Sequence, residues 1–203
     1  MRKLPLNTPT PAHTAQGLAG QSAKHDSAWK HVSGQARYID DLPMPEGILH
    51  AAVGHSQQAH ARIMSMDLEA VRRYPGVIAV VTAKDVPGHL DIGPVFPGDP
   101  VLADEIVEFI GQPLFAVAAT SHEAARKAAK LANVQYEPLD AVITVNQALD
   151  KELFVRPSQT QLRGNPDHAL SQASHRLIGE QVVGGQEHFY LEGQACLAEP
   201  TED

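Results

Sequence analysis

Cysteine is almost missing from this sequence: Cys196 is the single one among 203 residues. One thiol excludes an internal disulfide framework, fits a reducing compartment, and rules out an iron–sulfur cluster held by this chain alone. Its Ala-Cys-Leu-Ala surroundings read as apolar filling rather than as an activated nucleophile. Long apolar runs are missing too, and nothing approaches the roughly 18 residues that a membrane span requires. Residues 1–20 hold Pro, Thr, Ala and Gln where a secretory signal would hold Leu and Val. A cytoplasmic protein with no membrane partner is therefore expected. Basic side chains are scarce, 16 against 24 acidic ones, and a net charge of −8 argues against nucleic acid as a partner. The phosphate-cradling patterns G-x-G-x-x-G and G-x-x-x-x-G-K-[ST] do not occur. Histidine is plentiful, but His50, His55 and His60 recur every five residues, which sets neighbours on opposite faces of a strand. No metal site is expected from them, and His31, His60 and the scattered serines form no nucleophile–base arrangement.

What is present is an ordinary globular composition, 43% hydrophobic and 20% charged, with enough chain for a sizeable core. Residues 1–26, with prolines at 5, 9 and 11, read as a mobile leader. Residues 33–43 look like a short strand entering a turn. Ile48 to Ser56 reads as a buried strand, and Arg62 to Met66 as a second. Asp67 is placed to cap a short helix over 68–73, which Pro75-Gly76 ends. Val77 to Val81 is the clearest strand and closes a β–α–β unit. Residues 87–100 hold four prolines and three glycines and predict a long irregular loop suited to contact with another subunit.

Ile106 to Phe109 and Leu114 to Ala119 predict two strands joined through Gly111-Gln112-Pro113. Thr120 and Glu123 form a capping box for a helix to Ala132 whose alanine-rich stripe allows close approach to a sheet. A strand over 133–137 and a helix over 144–149 follow. Residues 144–174 form a linker with short helices, the second opened by Asn165-Pro166. A strand from Leu177 to Val183 then leads into Gly184-Gly185-Gln186-Glu187-His188-Phe189-Tyr190-Leu191-Glu192. As a strand, that stretch lines one face with Gln186, His188, Tyr190 and Glu192 and the other with Glu187, Phe189 and Leu191.

The nine residues from Gly184 to Glu192 resemble the segment that opens the molybdenum-cofactor part of proteins in the xanthine dehydrogenase and aldehyde oxidase family. Residues 34–43, Ala59 to Ile63, 75–85, 101–120 and Val134 to Leu139 resemble the same family's α/β hammerhead domain, except that Asp140 stands where a proline is usual. The resemblance implies an α+β fold: a hammerhead domain over 27–143, then over 175–203 the first strands of an incomplete molybdopterin-binding domain. It implies that Gln186 donates its amide N–H to an oxygen ligand of a molybdenum–molybdopterin cofactor, with Gly185 beside it.

The family's activity, carried over as implication, is hydroxylation of a purine, hypoxanthine or xanthine to urate. Electrons would pass through Fe-S and FAD groups on a partner subunit to NAD. The catalytic glutamate and the glycine-rich cofactor loops lie later in the family's order, so no catalytic residue is expected within these residues, and the chain alone is expected to be inactive and not to retain molybdenum. Two other possibilities stay open: an aldehyde oxidase-type enzyme of the same family, and a non-catalytic α+β interaction module. A strand over 175–203 without a sheet to join is also free to pair with a second copy, as a homo-oligomer.

Overall fold

The computed structural model describes residues 22–200 together with Gly20, so nearly all of the expected leader lies outside the described residues. The chain divides into two units: residues 44–182, and the pair of segments up to Pro43 and from Val183. The larger unit mixes helices with two three-stranded sheets, an α+β arrangement.

Six strands build the sheets: β1 (His50–His55), β2 (Ala61–Asp67), β3 (Val77–Thr82), β4 (Ile106–Val107), β5 (Pro113–Ala119) and β6 (Asn133–Pro138). The first sheet has the order β1-β5-β3 and the second β4-β2-β6, with every pairing antiparallel. The expected β–α–β unit is thus not one: β2 and β3 lie in different sheets, and the helix α1 (Glu69–Arg72) between them is a bridge from sheet to sheet. Four residues of helix span only about 6 Å, too short for a crossover that returns a strand beside its predecessor.

β5 is central and covered on both sides, with Leu114, Phe115, Val117 and Ala119 at most 1% exposed. Leu114, Phe115 and Val117 share one core with Ala61 and Val107 of the second sheet, Val71 of α1, and Ala128 of α2 (His122–Ala129). Both of β5's neighbours are edges. Alternate residues Ala51 and Val53 of β1, and Ala79 and Val81 of β3, are exposed, so β1 is half-buried rather than buried as expected. Gly54 of β1 sits directly against the Phe115 ring, and a Cβ there would come within 2.2 Å of two ring carbons.

The motif Gly111-Gln112-Pro113 is a structural turn. Gly111 has φ +94°, a conformation that side chains disfavour. Gln112 is buried, and its Oε1 accepts the Glu108 N–H at 2.7 Å, while its backbone carbonyl accepts the Ser56 N–H at 2.8 Å. A buried amide with its polar atoms satisfied stabilises rather than penalises the core.

Helix α2 is capped by Ser121, whose hydroxyl accepts the Ala124 N–H at 3.1 Å, not by Thr120 as expected. Thr120 instead extends β5's ladder, donating its N–H to the Gly76 carbonyl at 2.8 Å. Asp67 ends β2 and accepts the Glu69 N–H at 3.0 Å; the cap position itself falls on Leu68. Ala125 and Ala128 are fully buried, so the alanine stripe does bring this helix close to the sheet. Thr144, expected as the first residue of α3 (Val145–Asp150), is its cap instead, while helix α4 (Pro166–Gln172) is capped by Asn165 as expected.

Asp140 follows β6. Its carbonyl accepts His60 Nδ1–H at 2.7 Å and its carboxylate pairs with Lys151 just past α3, which holds its carboxyl below the usual carboxylate range.

The loop 87–100 is ordered by one side chain. The Asp91 carboxylate accepts the N–H groups of Gly93 at 2.9 Å, Gly98 at 2.7 Å and Asp99 at 3.3 Å, and Asp91 and Pro100 form a β-bridge. Those donors, Gly93 first, hold the Asp91 carboxyl below its usual range. The Arg156 guanidinium lies 3.8 Å over the Phe96 ring and ties residues of the expected linker to this loop.

Gly54→Ala is expected to destabilise the chain by about 1–3 kcal/mol through overpacking against Phe115, and Gly54→Ala with Phe115→Leu is expected to cost less than the sum of the two. Denaturant midpoints of the two single variants and the double variant check this. The Asp91 clamp has a depressed folded-state value, so it is complete above about pH 4 and is lost as pH falls through that lower value. Amide NMR signals of Gly93 and Gly98 are expected to move only in that acid range, and Asp91→Ala is expected to open residues 92–98 to proteolysis at neutral pH.

Candidate functional site

The stretch from Gly184 to Glu192 belongs to the smaller unit, with residues 28–43. The expected strands are not formed: residues 174–200 contain neither helix nor strand. A strand needs a neighbour for its backbone N–H and C=O groups, and none of the described strands runs beside this segment. Leu177 and Ile178 are accordingly fully exposed, and Val182, Phe189 and Leu191 nearly so. Cys196 is exposed as well, not apolar filling, since no layer lies over it.

The nine residues follow an irregular path instead, which turns at Phe189 and bends at Leu191 and Glu192. Phe189 takes φ +56°, which breaks the alternation a strand would impose, and its N–H donates to Glu187 Oε1 at 3.3 Å. His188 and Tyr190, expected on one face, do lie together: their rings stack with centroids 5.5 Å apart and planes 6° from parallel. Gln186 is exposed. Gly184 and Gly185 stand in open space, where an added Cβ would meet no atom within 4 Å.

Against this turn lies the N-terminal segment. A helix missed in the sequence, Ala28–Ser33, ends at Gly34, whose N–H donates to the Lys30 carbonyl. A single 3-10 turn follows at Ile39–Asp41, where a strand was expected, because Asp41 Oδ2 folds back to accept the Tyr38 N–H at 2.9 Å. The Tyr38 hydroxyl meets His31 Nδ1 at 3.3 Å. The next amide, Ile39 N–H, donates to Glu192 Oε1 at 2.9 Å, a bond between residues 153 positions apart. Together these parts line an open hollow of about 660 Å³, between His31, Tyr38 and Ile39 on one side and Tyr190 to Ala195 on the other. Gln186 and Gly185 are not in its lining.

The remaining chemistry-bearing side chains are dispersed. The His50 and His122 rings lie 4.4 Å apart, His60 is tied to Asp140, and His55 is exposed at the end of β1. Among the described residues no three His, Cys, Asp or Glu side chains converge as metal ligands would. A shallow basic surface on α2 is formed by His122, Arg126, Lys127 and Lys130, with Lys127 paired to Glu123 at 2.6 Å. The pair lowers the Glu123 carboxyl and raises the Lys127 amine, and at such exposure it contributes little to stability. Of all these groups, sequence reasoning missed the Ile39–Glu192 link altogether, since no local pattern joins residues so far apart.

Two family models match the chain: the aldehyde oxidase and xanthine dehydrogenase a/b hammerhead domain over residues 33–140, and the molybdopterin cofactor-binding domain over residues 149–203. Among curated relatives, the xanthine dehydrogenase of Oryza sativa subsp. japonica is 40% identical over 92% of this chain, and aldehyde oxidase 4 of Rattus norvegicus is 37% identical over 98%. The chain spans only 14% and 16% of those two proteins' lengths. Among solved structures, the aldehyde oxidoreductase of Desulfovibrio desulfuricans aligns with 64% of this chain and 16% of its own, at TM-score 0.56 and 31% identity. Residues 33–140 are therefore the hammerhead domain that the resemblance implied, followed from residue 149 by the start of a cofactor-binding domain, and the chain belongs to the aldehyde oxidase and xanthine dehydrogenase family of molybdenum-dependent oxidoreductases.

Proposed function

We propose that this chain is part of the molybdenum-binding subunit of a xanthine dehydrogenase, an enzyme that hydroxylates a purine and passes the electrons to iron–sulfur and flavin groups of a partner subunit. The observation that carries the proposal is the unbroken run Gly184 to Glu192, which lies inside the segment matched by the molybdopterin cofactor-binding model. A molybdenum–molybdopterin group, when bound, would supply the Lewis-acid and redox chemistry that the side chains of this chain lack. Within this chain, Gln186 is the residue assigned to that group. Its amide is exposed, carries no charge, and has two N–H donors, which suits a hydrogen bond to a metal-held oxygen without adding charge beside the metal.

One donor with open space at Gly184 and Gly185 is no enclosure, so these residues serve the cofactor only together with further chain. The ordered loop 87–100, which presents Ile92, Val95 and Phe96 to solvent, is the proposed contact with the partner subunit. A crosslinking map that leaves this loop untouched by the partner would remove that part of the proposal.

The relatives include aldehyde oxidases as well as xanthine dehydrogenases, and the two substrate classes separate by experiment. The full-length enzyme, loaded with molybdenum, is expected to turn over xanthine with a higher kcat/KM than an aromatic aldehyde; the reverse order would assign it to the aldehyde enzymes. Gln186→Ala in that enzyme is expected to lower activity or molybdenum content about 10–100-fold. The 203-residue chain purified alone is expected to carry no stoichiometric molybdenum by elemental analysis and to leave xanthine unchanged.

A further inference from the structure

We infer that Glu192 is the positioning residue for the Gln186 turn: its carboxylate, seated on the Ile39 N–H, fastens the turn's far end to the N-terminal segment. Ile39 is the first residue of a 3-10 turn, where backbone N–H groups have no partner within the turn itself. Two such amides in succession are each met by a carboxylate, Tyr38 N–H by Asp41 and Ile39 N–H by Glu192. Asp41 is local and does no more than shape its own turn. Glu192 comes from 153 positions away and joins two segments that line an open hollow.

Between Gln186 and Glu192 the backbone is set by local devices. Phe189 holds φ +56° with its N–H on Glu187, and His188 stacks on Tyr190. A stretch restrained inside and fastened at one end carries its other end through fewer positions than one left free at both ends. Glu192 touches no reacting group and acts through the turn. A hydrogen bond to an ionised acceptor is among the stronger ones, whereas exposed apolar side chains such as Phe189 and Leu191 give the turn little other hold.

The inference rests on the assignment of Gln186 to the cofactor only for its consequence, not for the link itself, and the experiment keeps the two apart. Amide hydrogen exchange of the full 203-residue chain reads Ile39 directly. Glu192→Ala is expected to speed exchange at Ile39 by about tenfold, while Glu192→Gln, which keeps an oxygen at the same reach, restores most of the protection. Glu192 is exposed, so neither variant endangers the core. Equal exchange in the native chain and in Glu192→Ala overturns the link, as does a Gln variant that behaves like Ala. In the molybdenum-loaded full-length enzyme, Glu192→Ala is expected to lower kcat about tenfold with KM and molybdenum content unchanged, again restored by Gln. Full activity of Glu192→Ala would overturn the positioning role. A native enzyme without purine turnover would instead count against the proposed function and leave the exchange result standing.

Discussion

The fold depends on the burial of β5. It is flanked by β1 and β3, covered on both faces, and carries the largest fully buried side chains, Phe115 and Leu114. Burial of apolar surface stabilises by roughly 25 cal/mol per Å², and three of the five largest fully buried side chains among the described residues, Phe115, Leu114 and Val117, lie on this strand. Its position explains features that are odd alone. Gly54 is small because the Phe115 ring occupies the space above it, and Gly111 takes a left-handed conformation because the turn into β5 must reverse tightly. Gln112 is buried and satisfied because it enters the core at the head of the same strand. The second sheet adds Ala61 and Val107 to that core, and α1 and α2 close it with Val71 and Ala128.

Much of the larger unit was legible because its signals are local. Alternating or continuous apolar runs gave β2, β3, β5 and β6 to within a residue or two. Asn165-Pro166 and Thr144 marked two helix starts for reasons that need no tertiary contact. What failed was pairing. Nothing in residues 48–82 says that β2 and β3 belong to different sheets, since that is decided by β5 and β6, which come dozens of residues later. The cap of α2 slipped by one residue because Thr120 and Ser121 are both competent, and the ladder bond from Thr120 to Gly76 settles which hydroxyl is left for the helix.

The candidate site divides differently. The motif at 184–192 was recognisable as a string of side chains, and its resemblance led to the right family, yet its conformation was misjudged. Alternation of polar and apolar residues favours a strand only where a neighbouring strand takes up the backbone, and Phe189 at φ +56° breaks the alternation. The short helix at Ala28–Ser33 escaped notice because Trp29 and Val32 are both largely exposed, so the helix has no buried stripe to betray it. Gly34 was the available signal: a glycine just past a run without proline is a common helix stop.

Asp140 carries a last consequence. A proline, which the resemblance leads one to expect at this position, would restrain the backbone whatever the medium. Here the position is held by an ion pair, the Asp140 carboxylate to Lys151, with the peptide oxygen holding His60. Such a fastening is as strong as its surroundings permit: dissolved salt weakens it and acid releases it. The grip of this joint therefore varies with the solution around it.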